Sequence, residues 1–294
     1  MELLEIWFIM NLVIDSNRLR SDELRYFLAG APSHRAVLTD YASMEAYKVN
    51  PLITIQKSMA VLAEFPAQVL VLRGTGRIAR LDPRQSDFVE AMIWPEYTQM
   101  FPLHAASIPF IGLDDAHMVS NALMLHVRAN ELLALQSPEI FREFHEIFGA
   151  AYSKEALRDL RKGERSPDIL WAMVDIAVTG AAHLLDAPDR YQTYDWLDVL
   201  NDFGVRNILA RLLLTEKWLL DGRPKLTDER LLNDQVDSFF VTYGTYFNGL
   251  MSGDLGANRL YSELRALLLR FAQEPDRGLI LPDPYKLRAR RSGD

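Results

Sequence analysis

The first eighty residues alternate short apolar runs with helical patterns, and that alternation restricts what this chain can fold into more than any other feature. Ile9, Met10, Leu12, Val13 and Ile14 form an apolar run that stops at Asp15 and opens the polar stretch Asp15-Ser16-Asn17. This is the pattern of a buried strand that delivers a carboxylate at its C-terminal end. Ser21 then precedes Asp22 and Glu23, with Gly30 beyond, which supplies the N-cap, first-turn acids and C-terminal glycine of a helix. A second strand is expected over residues 35–39, followed by a helix from Asp40 that carries Glu45 in its second turn. Helical spacing resumes over residues 53–65 after Pro51, and residues 68–72 read as a third strand. An order of strand, helix, strand, helix, strand favours a parallel sheet, and in open sheets of that kind ligands bind outside the C-terminal strand ends.

The rhythm changes after residue 82. Residues 116–135, 138–148, 168–185 and 196–220 have helical periodicity, so residues 83–225 are expected to form a large all-helical insertion. The stretch around Trp171, Met173, Val174, Ile176 and Val178 is apolar nearly all round and reads as a core helix. The sheet pattern then returns. Thr227 or Asn233 caps a helix running through Val236, Phe239, Phe240, Tyr243 and Phe247; an Asn248-Gly249 turn, a strand over residues 250–252 and a helix over residues 258–271 follow. Asp254 thereby ends a second strand. The expected division is an α/β core from residues 1–82 and 226–275, the insertion over 83–225, and a tail over 276–294 that carries Lys286, Arg288, Arg290 and Arg291.

Composition narrows the function classes. With 294 residues, 49% of them apolar, the chain can bury a substantial core. It has no cysteine, which excludes thiolate metal sites, thiol nucleophiles and disulfides. The apolar start carries Glu2 and Glu5 and lacks a basic leader pattern, while Pro102 and Pro109 interrupt the longest uncharged run. A cytoplasmic protein with no membrane partner is the expectation. A net charge of −8 argues against a uniformly basic nucleic-acid surface, although Arg73, Arg77, Arg80 and Arg84 lie within twelve positions and suit either phosphate contacts or a solvated loop. The six histidines make no HExxH or comparable motif, and Gly74-Thr75-Gly76 reads as a turn lacking the remaining residues of a nucleotide-binding loop.

The segments Leu12-Val13-Ile14-Asp15-Ser16-Asn17, Leu38-Thr39-Asp40-Tyr41-Ala42-Ser43-Met44-Glu45, Asn233-Asp234-Gln235-Val236-Asp237 and Gly249-Leu250-Met251-Ser252-Gly253-Asp254 together resemble the PIN-like nuclease superfamily. The likeness covers roughly residues 8–75 and 228–272. One departure is that the serine or threonine often found just before the fourth acid is displaced here, with Ser252 two positions ahead of Asp254 and Gly253 between. The resemblance implies an α/β fold with a parallel sheet flanked by helices. It also implies a site formed by Asp15, Glu45, Asp237 and Asp254, acting with Mg²⁺ or Mn²⁺, and phosphodiester hydrolysis that leaves a 3′-hydroxyl and a 5′-phosphate. RNA is the favoured substrate over DNA, with a toxin-like or antiviral-defence role.

The residue types suit that chemistry, because hard divalent cations prefer carboxylate and water oxygens, and gathered acids repel one another unless a cation offsets them. Asp234 stands one helical turn before Asp237, where it either caps the helix or assists a second cation; Asp40 has the same ambiguity. Asn17 can hold a ligating carboxylate or simply form a turn. Tyr243, Tyr246 and Phe247 suit helix-core packing better than base stacking. The competing account is that all these acids only cap helices and finish strands, in a binding scaffold whose helical part holds a protein partner. A homo-oligomer is compatible with either account.

Overall fold

The computed structural model describes residues 9–46, 51–107, 152–222 and 227–272, which form an α/β fold around one four-stranded, all-parallel sheet. The strands are β1 (Asn11–Ile14), β2 (Arg35–Leu38), β3 (Val69–Val71) and β4 (Gly249–Met251), in the spatial order β3-β2-β1-β4. All are three or four residues long and rich in Val, Leu and Ile, which suits strands covered on both faces. Val13, Ile14, Ala36 and Val37 are fully buried.

The pairing of β1 with β4 joins the two ends of the chain, in the register Leu12 to Gly249, Val13 to Leu250 and Ile14 to Met251. Asn248 locks its start: its Oδ1 accepts from the Asn11 N–H at 2.8 Å while its own N–H donates to the Asn11 carbonyl at 2.8 Å. Gly249 occupies φ +152°, where a Cβ would also stand 3.3 Å from Leu12, so glycine is the residue that lets β4 lie this close.

Helices α1 (Asp22–Gly30), α2 (Asp40–Ala46), α3 (Pro51–Glu64), α4 (Thr75–Ile78), α5 (Phe88–Met92) and α6 (Pro95–Ser107) surround the first three strands. As expected from sequence, Ser21 caps α1 by accepting from the Leu24 N–H. The Gly74-Thr75-Gly76 stretch opens the short helix α4 rather than staying a turn, because Asp40 accepts from the Thr75 N–H at 2.7 Å. Further along lie α7 (Lys154–Arg161), α8 (Pro167–Leu184), α9 (Trp196–Asn201), α10 (Phe203–Leu220), α11 (Asp228–Gly244) and α12 (Leu255–Phe271).

Two hydrophobic clusters organise these elements. The first holds the sheet, α1 to α6, Phe203 and one face of α11; the second holds α7 to α10 with Leu231 and Val241 of α11 and Ala257, Leu260, Leu264, Leu267 and Leu268 of α12. Helix α11 therefore feeds both.

Three expectations are corrected. Residues 196–220 are two helices, since Asp202 breaks the run and caps α10 by accepting from the Gly204 and Val205 N–H groups at 2.8 and 3.2 Å. Helix α8 is one-sided, burying Leu170, Met173, Val174, Ala177 and Ala181 but leaving Trp171 56% exposed. Helix α11 ends at Gly244, and Phe247 lies beyond it. The helices expected over residues 116–135 and 138–148, the first residues of the chain and the tail lie outside the described residues. No helix among the described residues is long and apolar enough to cross a membrane.

Candidate metal centre

The strand order reverses between β1 and β4: β2 and β3 lie on one side of β1, and the chain returns on the other side through β4. A crevice opens outside the C-terminal strand ends at such a point. Asp15 follows β1 directly and Asp254 follows β4 within three residues.

Asp15 is 3% exposed, and its backbone N–H donates to the Met251 carbonyl at 3.1 Å. Its carboxylate is held by two donors. Ser252 Oγ donates to Oδ2 at 2.5 Å, Asn17 Nδ2 donates to the same oxygen at 2.6 Å, and Ser16 Oγ lies 3.3 Å from Oδ1. Asn17 also accepts the Gly253 N–H on Oδ1 at 2.8 Å, so its amide bridges the ends of β1 and β4 and its orientation is fixed by both bonds. Ser252 Oγ in turn accepts the Asp254 N–H at 3.0 Å. The displaced serine thus links Asp15 to Asp254, a role that the sequence left open.

Glu45 reaches the same place from α2, where the Ser16 hydroxyl donates to its carboxylate. Asp40 fixes α2 from below. It is half-buried, accepts from the Thr75 N–H, the Thr75 hydroxyl at 2.8 Å and the Tyr41 N–H at 3.0 Å, and Thr75 Oγ1 lies 2.8 Å from Tyr243 Oη. Burial pushes the Asp40 carboxyl above the usual range against those hydrogen bonds. It anchors α2 to α4 and, through Thr75, to α11, whereas the start of α2 is capped by Thr39, whose hydroxyl accepts from the Ala42 N–H at 3.1 Å.

Helix α11 brings Asp234 and Asp237. Burial pushes the Asp237 carboxyl up to about 8, and the negative charges of Asp15, Asp254, Asp234 and Glu45 add to the effect. One side chain therefore feels all four of the other acids singled out in the sequence. Asp234 is also raised, first by burial and in part by Asp254, while Arg230, Lys217 and a hydrogen bond from Trp218 oppose the rise. Its Oδ2 is buried without a hydrogen-bond partner among the described residues. Asp254 is exposed and caps α12, its Oδ1 accepting from the Ala257 N–H at 2.9 Å.

Among the described residues, no three Asp, Glu or His side chains are drawn close enough to form a ready-made metal cage. The donor set nevertheless fits a hard cation that keeps much of its water. It consists of carboxylate oxygens, one of them an orphaned buried acceptor, in mutual repulsion that positive charge would relieve. Mg²⁺ commonly binds through one or two carboxylates and retains several waters.

Other candidates resolve into structural roles. Tyr243, Tyr246 and Phe247 are all buried in the first cluster. Of the arginine run, Arg73 donates to the Ala91 carbonyl, Arg80 to the Gly76 carbonyl, and Arg84 pairs with Asp82 over the Tyr194 ring. Lys217 carried no motif in the sequence; its place beside the acids depends on how α10 packs. Comparison with protein-family models, with curated proteins and with solved structures returned no match.

Proposed function

We propose that this protein is a divalent-cation-dependent nuclease of the PIN-like kind, with RNA as its favoured substrate and DNA as the nearest alternative. The observation that carries the proposal is the placement of Asp15 and Asp254 at adjacent strand ends where the strand order reverses, with the Asp237 carboxyl raised first by burial and then by the charges of both. Asp15, Glu45, Asp237 and Asp254, assisted by Asp234, would hold Mg²⁺ or Mn²⁺. When bound, such a cation supplies an activated water and stabilises charge on the phosphate.

The chain's own residues supply the rest. Asp15 is preorganised, since Ser252 and Asn17 fix both its rotamer and its distance from the β4 end. Burial, and then its acidic neighbours, raise the Asp237 carboxyl to about 8, so that Asp237 would favour its protonated form near neutral pH and a bound cation would favour its ionised form. In the reaction this reading implies, the hydroxide part of a water would add to phosphorus as the P–O3′ bond breaks, and the water's remaining proton would end on the 3′-oxygen, leaving a 3′-hydroxyl and a 5′-phosphate.

The test is incubation of the protein with labelled RNA and DNA in Mg²⁺, in Mn²⁺ and in chelator, beside Asp15→Asn. Cleavage that needs the cation and Asp15 supports the reading; none on either substrate overturns it. A second reading, a non-catalytic scaffold, is favoured by the capping role of Asp254 and the absence of a preformed cage among the described residues. That reading requires no cation-stimulated cleavage and tolerance of losing the acids.

A further inference from the structure

Arg77 is the member of the arginine run whose side chain makes no hydrogen bond or ion pair among the described residues. Its guanidinium stands 5.9 Å from the centroid of the Trp94 ring, within reach of a cation–π contact. Trp94 lies 4.0 Å from the Tyr97 ring, and Tyr97 meets His104 edge-on at 6.4 Å. A cation and three rings thus follow one another in a ladder. Core packing does not account for it, because Arg77 and His104 are exposed and Tyr97 is 45% exposed. Met100 and Leu103 continue this outer face of α6, at 46% and 71% exposure.

The ladder stands at the same sheet edge as the acids. The Trp94 N–H donates at 2.8 Å to the carbonyl of Val71, the last residue of β3, and the Arg73 N–H donates at 2.9 Å to the Met92 carbonyl. The segment leading into α6 therefore runs beside the C-terminal end of β3. With β3 and β2 between them, it lies roughly 14 Å from the end of β1 that carries Asp15, at the usual spacing of paired strands. Thr75 fixes α4 from the other side, bonding Asp40 at the start of α2 and lying 2.8 Å from Tyr243 on α11. Those two helices bring Glu45 and Asp237, so the backbone that bears Arg77 is tied to the elements that bear the acids. Residues 73–80 hold three arginines and no acid, in a chain of net charge −8.

We infer that Arg77, Trp94 and Tyr97 form a platform for a single-stranded segment of nucleic acid, with a base stacked on the exposed Tyr97 ring beside Trp94 and a phosphate taken by Arg77. The inference rests on the nuclease reading and narrows its substrate to a strand whose bases are unpaired beside the acid crevice. Stacking on an aromatic side chain needs a free base face, which a continuous duplex does not offer. Exposed rings alone would suit a protein partner equally well; the acid-free arginine stretch beside them selects a polyanion.

The experiment measures binding of a fluorescent single-stranded oligonucleotide, and of the same sequence as a duplex, to the intact protein in Ca²⁺ across a salt series, with both checked for integrity afterwards. Tyr97→Ala should weaken single-strand binding roughly 10-fold, the scale of one lost base stack, with little change in salt slope. Tyr97→Phe keeps the ring and should bind as the wild type does. Arg77→Met should reduce the salt slope by about 0.7, the share of one phosphate contact on a single strand. Duplex binding should not respond to Tyr97→Ala. Wild-type single-strand affinity in Tyr97→Ala, or an unchanged slope in Arg77→Met, overturns the inference. So does a loss in Tyr97→Phe equal to that in Tyr97→Ala, or an equal loss on duplex and single strand, since neither comes from stacking on a ring. Cation-dependent cleavage that needs Asp15, with both variants binding as the wild type does, leaves the nuclease reading standing and removes this inference alone. Single-strand binding that depends on both residues, without any cleavage, keeps the platform and removes the nuclease reading.

Discussion

The helical body and the sheet edge treat buried charge in opposite ways. Among the described residues of the helical body, Glu216, Asp202 and Arg206 each meet polar complements, although Arg211 on α10 keeps a buried Nε without a hydrogen bond and burial lowers its guanidinium to about 10. Glu216 is answered by Arg165 and Tyr152, Asp202 by Arg190 Nη2 at 2.9 Å, and the fully buried Arg206 donates to the Leu200 and Thr245 carbonyls and to Asn201. At the sheet edge, acids face acids. Asp237 has four carboxylates acting on it in the same unfavourable direction, and Asp234, with Arg230 Nε at 3.9 Å and Lys217 acting on it, still has an oxygen without a hydrogen bond. A chain able to compensate Glu216 and Asp202 so fully is not short of cations to place. Under the nuclease proposal, the mutual repulsion of these carboxylates is what a bound cation would offset.

The comparison breaks most visibly through exchange of one acid from each region. Asp15→Asn keeps the shape and the neighbours of the side chain but removes its charge, and should lower metal-dependent cleavage by roughly 10²–10³-fold, the scale of losing one preorganised electrostatic contact. Circular dichroism should show the fold unchanged. Wild-type rates at limiting and saturating Mn²⁺ would remove Asp15 from the site. Glu216→Gln should do the opposite, leaving the acid crevice intact while costing about 3 kcal/mol of stability in denaturant unfolding, because Arg165 and Tyr152 lose a charged partner in a buried pair. Full stability in that variant would mean that the helical body does not depend on charge pairing.

A finer probe is Ser252→Ala, which deletes the hydroxyl joining Asp15 to the Asp254 backbone without touching any carboxylate. Residues that orient ligating groups typically cost 10–100-fold in metal affinity when lost. Mn²⁺ affinity should fall by about that factor, with little change in Tm. Unchanged affinity would show that Asn17 alone suffices to hold Asp15.

The sheet and its strand-end acids were legible because they depend on local signals. An apolar run closing on Asp15, the Ser21 cap and the Asn248-Gly249 turn each specify their element within a few residues. What stayed hidden depends on contacts far apart in sequence. The break at Asp202 follows from its pairing with Arg190, the exposure of Trp171 from which side of α8 meets α10, and the position of Lys217 from anchors at Tyr152 and Arg165. Ser252 was visible but ambiguous, since nothing local shows that its hydroxyl turns toward a strand more than 230 residues earlier. The charge imbalance itself appears only once four separate elements converge.

The pH dependence of stability in chelator is the most direct reading of that imbalance. Asp237 has a folded-state proton affinity raised from 3.8 to about 8, chiefly by burial and then by its acidic neighbours. Between those values the folded chain binds more protons at this position than the unfolded chain does, so the stability contributed by the protonated form is full below about 4 and is lost as pH rises through about 8. In chelator, Tm should therefore decline over that window, and Asp237→Asn, which stays neutral throughout, should make the decline shallower and raise Tm slightly at pH 8. Saturating Mn²⁺ should flatten the wild-type curve as well, since a bound cation compensates the ionised carboxylate. In Glu216→Gln the slope should persist, because that variant leaves the acid crevice untouched. If Asp237→Asn keeps the full wild-type slope, the strain at the sheet edge lies elsewhere, and the contrast between the two regions fails at its central residue.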